Sequence, residues 1–430
     1  MTSLIARLAA GSDARVFAIA GAGSRAAVQD LRLADGVELV DSPRAADVLL
    51  VAGALDPRHH DAVRRVHDAL PHPRASVRWA GSRDVLVPGA AHVALGTDPS
   101  SAIRAAHQAL MHGTLPTEPP LLPDEDPAPW RGVGPYGQGG SGMTGGTPYG
   151  RPMAELAPDR DGLRLDLLPT RLGPFSSLLP HGLELDLRVS GDILVGVEVA
   201  ATGLAASATS ASLFIRALTE PVSIAELEIG RARDHLRWTA DALRLQGLRA
   251  LSLRALRLGL HAAPGDHRAV ERLAADIART GIYRWSLPAA DGARTELLAG
   301  ARLGPSTRAS GVGEDERQAD PAYRSLGFAP LLGAGGGAAA AWRLRLAEAV
   351  RSLELAGRGG DTRSAVTGAV ESPRGRLALG DAPSGRALGL LPTLIEGMEW
   401  GDAMATIAAL DIDLDELGAV TAGTSAEAAA

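Results

Sequence analysis

The chain has 430 residues, long for one domain, and 46% of them are hydrophobic, enough apolar material for two cores in a soluble globular protein. A formal net charge of −7 without a basic stripe argues against a nucleic-acid partner, and no apolar run reaches the roughly 18 residues of a membrane span. Cysteine, lysine and asparagine are missing and all 43 basic residues are arginine, which excludes disulfides, thiolate nucleophiles, cysteine-held iron–sulfur clusters, Schiff bases and a P-loop lysine.

The opening MTSLIARLAAGSDARVF lacks the apolar core and cleavage pattern of a secretory signal, so a cytoplasmic protein is expected. Residues 1–113 then alternate strands and helices. VFAIAG (Val16–Gly21), VELVDS (Val37–Ser42) and ADVLLVAGA (Ala46–Ala54) have the short apolar runs of buried strands. Asp56 and Pro57 open a helix carrying Val63, Val66 and Leu70 at helical spacing. ASVRWAG is a further strand, and DPSSAIRAAHQALMHG a closing helix capped by Asp98 or Ser100 and ended by Gly113. The pattern predicts an α/β N-terminal domain with a mostly parallel sheet.

Residues 114–157 change character. Proline dominates their first half and glycine their second, which predicts an exposed linker; the other reading is an ordered strap anchored by Trp130, Tyr136 and Tyr149. The second domain is expected over 158–418. LELDLRVSGDILVGVEVA (Leu183–Ala200) alternates on both sides of Ser-Gly-Asp and reads as a β-hairpin. Ser223 and Glu226 form a capping box ahead of a long helix. A further helix from Asp266 to Gly281 aligns Val270, Leu273 and Ile277, and another aligns Trp342, Leu346, Val350 and Leu353. This half is a mainly helical α+β domain, and the tail 419–430 is expected to be disordered.

Several residues stand out for chemistry. Gly21, Gly23 and Ala26 make a G-x-G-x-x-A turn between a strand and a helix, with Asp41 at the end of the next strand, as a dinucleotide (NAD) site would require. Only about two helical turns fit between Gly23 and the next strand, short for that motif. His59, His60 and His67 follow Asp56 on a helix. Arg64 lies between His60 and His67 and would repel a cation, so a solvated face is expected there and no metal site.

The run Ser42–Ser82, SPRAADVLLVAGALDPRHHDAVRRVHDALPHPRASVRWAGS, and the corner VLVPGAAH (Val85–His92) resemble the small, iron–sulfur subunit of respiratory complex I (NADH-quinone oxidoreductase) and of membrane-bound nickel–iron hydrogenases. In that family the corner reads valine-proline-glycine-cysteine-proline and a second cysteine follows a glycine-serine; here Ala90 and Arg83 stand at those places. Gly300–Phe328 (GARLGPSTRASGVGEDERQADPAYRSLGF), VESPRGRLAL (Val370–Leu379), RARDHLRWTADAL (Arg231–Leu243) and Leu390–Gly418 resemble the large, quinone-site subunit. The resemblance covers most of the chain, fused in small-then-large order, and implies a second domain of complex I/hydrogenase large-subunit type.

The resemblance implies a place at the cytoplasmic face of the plasma membrane, with complex-I- or antiporter-like membrane subunits as partners. It also implies a quinone site, with NAD as a further cofactor by family name. The departures imply the opposite of electron transfer: neither the cluster cysteines nor the two pairs around nickel can exist here. GPFSSLLPHGLEL (Gly173–Leu185) resembles the family's His-Pro-x-x-His-Gly quinone turn, with His181 matching its second histidine and Ser176 or Ser177 near the place of its first. His181 is thus a head-group donor in a remnant chamber or a hydrogen-bonded turn histidine. His235 is expected to bond backbone or Asp234. Arg83 reads as an ion-paired plug or a solvent-facing side chain, and the stretch RASGVGEDERQAD (Arg308–Asp320) as a solvated loop or a docking surface. The leading expectation is a cofactor-free scaffold in a membrane assembly; the alternatives are a quinone or NADH oxidoreductase and a freestanding soluble scaffold.

Overall fold

The structure, a computed structural model, describes residues 4–80, 87–94, 96–124, 154–203, 212–288 and 291–427. In the first part, β1 (Ala14–Ala20), β2 (Val37–Leu39), β3 (Val48–Ala52), β4 (Ala75–Trp79) and β5 (Ala91–Val93) form a sheet in the order β2-β1-β3-β4-β5. Every pairing in it is parallel, with Val16 opposite Val48 and Val48 opposite Ala75. The helices are α1 (Leu4–Ala10), α2 (Arg25–Asp30), α3 (His60–Ala69) and α4 (Ser100–Met111).

A parallel sheet covered on both faces wants apolar side chains at every position. The strands comply. Phe17, Ile19, Leu49 and Val51 face one core with Val63 and Leu70, while Val16, Val48, Leu50 and Val77 face another with Ile103. The strand order reverses between β1 and β3, which places the glycine turn after β1 at the crevice where open α/β sheets hold their ligands.

The second part begins with an antiparallel sheet, β6 (Leu156–Pro158), β7 (Arg164–Leu172), β8 (Leu183–Ser190) and β9 (Ile193–Thr202). The expected hairpin is β8–β9; β6 and β7 had no sequence forecast, and their first pairing lies ahead of the boundary expected at 158. Then come α5 (Leu213–Arg216), α6 (Ile224–Leu245), α7 (Arg249–His261), α8 (His267–Arg279) and α9 (Ile282–Trp285). They are followed by α10 (Gly292–Ala299), α11 (Pro305–Ala309), α12 (Pro321–Ser325) and α13 (Gly337–Gly359). A hairpin of β10 (Ala369–Ser372) and β11 (Gly375–Ala378) precedes α14 (Pro383–Ile395), α15 (Trp400–Leu410) and α16 (Leu414–Glu427).

One core gathers α6, α7, α8 and α13, with Trp238 and Trp342 edge to face at 5.2 Å. Another packs the β8 leucines 183, 185 and 187 on α14 and α15. Among the described residues no helix is long and apolar enough to cross a membrane.

Two expectations need correction. Residues 419–427 of the tail are helical, since α16 runs to Glu427 and buries Val420 against α5. The described start of the linker, residues 114–124, is exposed along most of its length yet fastened at points: Glu118 accepts from the Ser76 amide (2.9 Å) and hydroxyl (2.7 Å), and Leu121 packs on the β1–β3 core, while Trp130, Tyr136 and Tyr149 lie outside the described residues. His59 and His67 are buried, not solvated. His67 lies between Asp68 (2.7 Å) and Glu118 (3.0 Å), and His59 lies 3.5 Å from Glu184, with burial first among the causes that lower its pKa.

Candidate functional site

The two parts meet along the crevice at the switch point, and a cavity of about 160 Å³ lies in that seam. Phe17 and Leu39 line it from the sheet, Trp238 from α6, Ile407 from α15, and Leu179 and His181 from the loop between β7 and β8. That loop is set by Gly173. At φ +106° it adopts a backbone that side chains avoid, and a Cβ there would stand 2.0 Å from the Leu183 carbonyl oxygen. The Gly182 amide closes the loop onto the Pro174 carbonyl (2.8 Å), and Phe175 is driven into the core of the α/β part.

The imidazole of His181 is oriented by the first part of the chain. The Ala20 amide, at the end of β1, donates to Nδ1 at 2.9 Å. Burial, with the nearby guanidiniums of Arg25 and Arg244, lowers its pKa to about 4, so the ring is neutral at pH 7. A neutral ring whose Nδ1 accepts carries its proton on Nε2. That N–H has no partner among the described residues, and His181 lines the cavity. It is a donor held ready. Ser177 also lines the cavity, but its carbonyl accepts from Arg244 (2.9 Å); the Ser176 hydroxyl accepts from the Leu178 amide and serves its own turn.

The polar wall is built of paired charges. Asp241 on α6 accepts from Gln29 and Arg32, with Arg25 at 3.7 Å. Burial would raise its pKa, but these guanidiniums outweigh burial and hold it far below the usual range. Asp41 is bound by Arg244.

The glycine turn is engaged by protein. The Gly21 amide donates to the Ala52 carbonyl (2.7 Å) and the Ala22 amide to the Ala54 carbonyl (2.8 Å). The Gly23 amide donates to the carboxylate of Asp415 (2.9 Å). A Cβ on Gly21 would lie 2.3 Å from the Ala54 oxygen, so close packing of two loops is reason enough for glycine. The helix after the turn, α2, has 6 residues. The amides that would cradle a pyrophosphate, and the acid that would hold a ribose, are thus bonded to other parts of the chain.

At the corner that resembles the cluster loop, Val87 is buried, Gly89 turns the chain at φ +90°, and the Ala90 methyl packs against the β1–β3 core. Arg83 lies outside the described residues.

Deeper in the second part, the stretches that resemble the large subunit meet in one charged core. Arg308 contacts Asp315 (3.0 Å), Glu348 (3.1 Å) and Glu371 (2.6 Å). Arg317 contacts Asp315 (2.7 Å), Glu348 (3.0 Å) and Glu228 (3.4 Å). Glu228 also holds Arg231 (3.1 Å) and accepts from the Tyr323 hydroxyl (2.6 Å). Burial alone would lower the Arg308 guanidinium, but Glu348, Asp315 and Glu371 hold it above its ordinary range. Three guanidiniums face four carboxylates here, and burial beside Asp315 raises Glu371 to about 7. The stretch Arg308–Asp320 is therefore anchored from within: Arg308, Asp315, Arg317 and Asp320 are buried, while Gly311, Glu314, Gln318 and Ala319 are exposed, so the solvated-loop reading holds only for the latter.

His235 needs a correction too. It is buried, and neither ring nitrogen has a partner among the described residues, so it bonds neither backbone nor Asp234. Burial, and then Arg345 and Arg231, push its pKa well down and keep it neutral. A second charge cluster surrounds the α15–α16 junction. Asp411 meets Arg345 (3.2 Å) and Arg374 (3.5 Å), and Arg374 meets Asp413 (2.9 Å). Sequence reading missed Arg25, Asp241, Arg244 and Asp415. Each is an ordinary charged residue in its local stretch, and only the packing of one part on the other brings it to the seam.

No family model matches the chain, and no curated protein matches it. Among solved structures, the chain is similar to one chain of the "Structure of the membrane-bound sulfane sulfur reductase (MBS), an archaeal respiratory membrane complex". The likeness is 16% identical with a TM-score of 0.36, and covers 59% of this chain and 98% of that one.

Proposed function

We propose that the protein is a cofactor-free, non-redox subunit of the peripheral arm of a complex-I-like, antiporter-type membrane assembly, docking or coupling its membrane subunits at the cytoplasmic face. The observation that carries this reading is the corner at Val87–Ala90. It turns at Gly89 and packs the Ala90 methyl against an apolar core where the family it resembles carries a cysteine, and the chain holds no cysteine to ligate iron or nickel. Supporting it, Arg231, Arg308, Arg317 and Glu371, from three separate stretches that resemble the large subunit, converge on one buried network. Burying so many charges is costly unless each is paired, and here they are.

The test is purification from native membranes in mild detergent. Co-purification of antiporter-like membrane subunits, with colourless protein free of iron, is the expected result. Brown protein with a reducible paramagnetic signal overturns it, as does a chain recovered wholly without membrane partners.

A second reading is favoured by one observation, the His181 Nε2–H at a cavity of about 160 Å³ with one apolar and one polar wall. An engineered cavity of about 150 Å³ binds benzene, so one ring fits. In this reading a quinone head group sits there as a structural ligand. Quenching of Trp238 fluorescence by a short-chain quinone in wild type, lost in His181→Ala, supports it; equal quenching in both rejects it.

A further inference from the structure

Beside the ring-sized cavity lies a larger one, of about 350 Å³, between the glycine turn, α5, α6 and the start of α16. The two share Arg25, Gln29, Trp238, Asp411, Asp413 and Asp415 along their common wall. A buried water needs at least about 10–15 Å³ of such space, so the larger chamber has room for several.

Five carboxylates line it: Asp234, Asp411, Asp413, Asp415 and Glu416. Of the four arginines on its wall, Arg237 is committed to Asp30 (2.7 and 3.0 Å) and Arg233 donates to the Ala262 carbonyl. Arg25 and Arg374 remain for the acids, with Arg345 reaching Asp411 from behind. Carboxylates therefore exceed guanidiniums, and packed like charges in a poorly polarisable interior favour bound protons.

An independent observation singles out one group. Glu416 is only 5% exposed, lines the chamber, and its Oε1 has no hydrogen-bond partner among the described residues; Arg374 is 3.7 Å from Oε2. A buried ionised carboxylate with an idle oxygen is costly, and a bound proton removes that charge.

We propose that the larger cavity is a water-filled proton-exchange chamber, in which Glu416 and Asp415 take up and release protons beside the ring-sized cavity. Release is an acid–base step: the carboxyl O–H gives its proton to a chamber water and the group stays behind as carboxylate, with no redox partner. The surroundings agree. Burial chiefly raises Glu416 to about 8, with Asp413 and Asp411 adding to it, Arg374 opposing, and Ser372 as a hydrogen-bonding neighbour. Burial and Asp413 raise Asp415 to about 6 against the Gly23 amide, Arg25 and Arg374. Burial raises Asp234, with Asp411 and Asp413 in the same sense and Arg374 and Arg237 opposing. The proposal does not depend on a membrane partner, because every residue it names lies in this chain.

The full-length protein tests it by infrared difference spectroscopy over a pH series in H2O and D2O. A protonated-carboxyl band is expected to vanish as pH rises through about 8 and to be lost in Glu416→Gln. A second component is expected near about 6 and lost in Asp415→Asn. Both should shift promptly in D2O. A spectrum unchanged by Glu416→Gln overturns the proposal, and so does a band that resists D2O for hours, since that chamber would be sealed. Should Glu416→Gln fail to fold, Asp415→Asn decides alone, and no component near about 6 rejects the proposal.

Discussion

At the scale of single residues, the site is governed by which protons are held. His181 is kept neutral by burial and by two guanidiniums, with its folded pKa near 4 against an ordinary value of 6.5. Above about pH 6.5 the imidazole is uncharged in the folded and unfolded chain alike and stability is unaffected. Between about 6.5 and 4 the unfolded chain binds a proton that the folded chain refuses, so stability falls as pH falls across that window. Urea unfolding at stepped pH should show this loss in wild type and a smaller one in His181→Gln, whose amide oxygen can still accept from Ala20, the remainder coming from buried His59 and His235. Parallel slopes in the two proteins would reject the assignment. The sequence showed His181 as a motif position but not its tautomer, because Ala20 lies 161 residues away. For Arg308 and Arg317 the same limit applies: a charge-rich stretch looks solvated until partners from α6, α13 and β10 are placed around it.

At the scale of elements, local pattern told most where the period was clean. The buried strands, the β8–β9 hairpin, and the α6, α8 and α13 helices were all readable from apolar spacing and caps. The misses have physical causes. A proline-rich stretch has no period, so residues 114–124 read as linker, and nothing local shows that Glu118 holds Ser76 and His67 or that Asp68 accepts from the Leu121 and Leu122 amides. Glu118→Ala removes the acceptor for Ser76 and leaves the His67 ring without its second carboxylate. Limited proteolysis should then cut within 114–124 several-fold faster than in wild type, while α6 and α13 keep their hydrogen-exchange protection; unchanged cleavage would show that the strap is held by Leu121 packing and the Asp68 bonds to the Leu121 and Leu122 amides instead. The C-terminal segment read as a disordered tail because chain ends are poorly ordered, yet alanine is the strongest helix former and the helix continues to Glu427.

At the scale of the whole molecule, the two parts share more than a surface. Arg237 with Asp30, Arg32 with Asp241, Arg244 with Asp41 and Arg249 with Glu38 cross the seam, and Phe175 of the second part completes a core of the first. The exposed Arg249–Glu38 pair adds little, the partly buried Arg32–Asp241 pair more, and the aromatic plug is an apolar contact between the two parts. Phe175→Ala is expected to cost about 3–5 kcal/mol and to split one calorimetric transition into two. A single transition shifted as a whole would mean that the ion pairs hold the parts together unaided. None of this seam was legible beforehand, because alternation and periodicity report which face of an element is buried and never against what.

The bond from the Gly23 amide to Asp415 joins residues 392 positions apart. A ribosome emits the chain from its beginning, so the first sheet leaves the exit tunnel long before its clasp has been synthesised. Until then the crevice stands open to whatever chaperone is at hand, and the helix that carries Asp415 decides when it shuts.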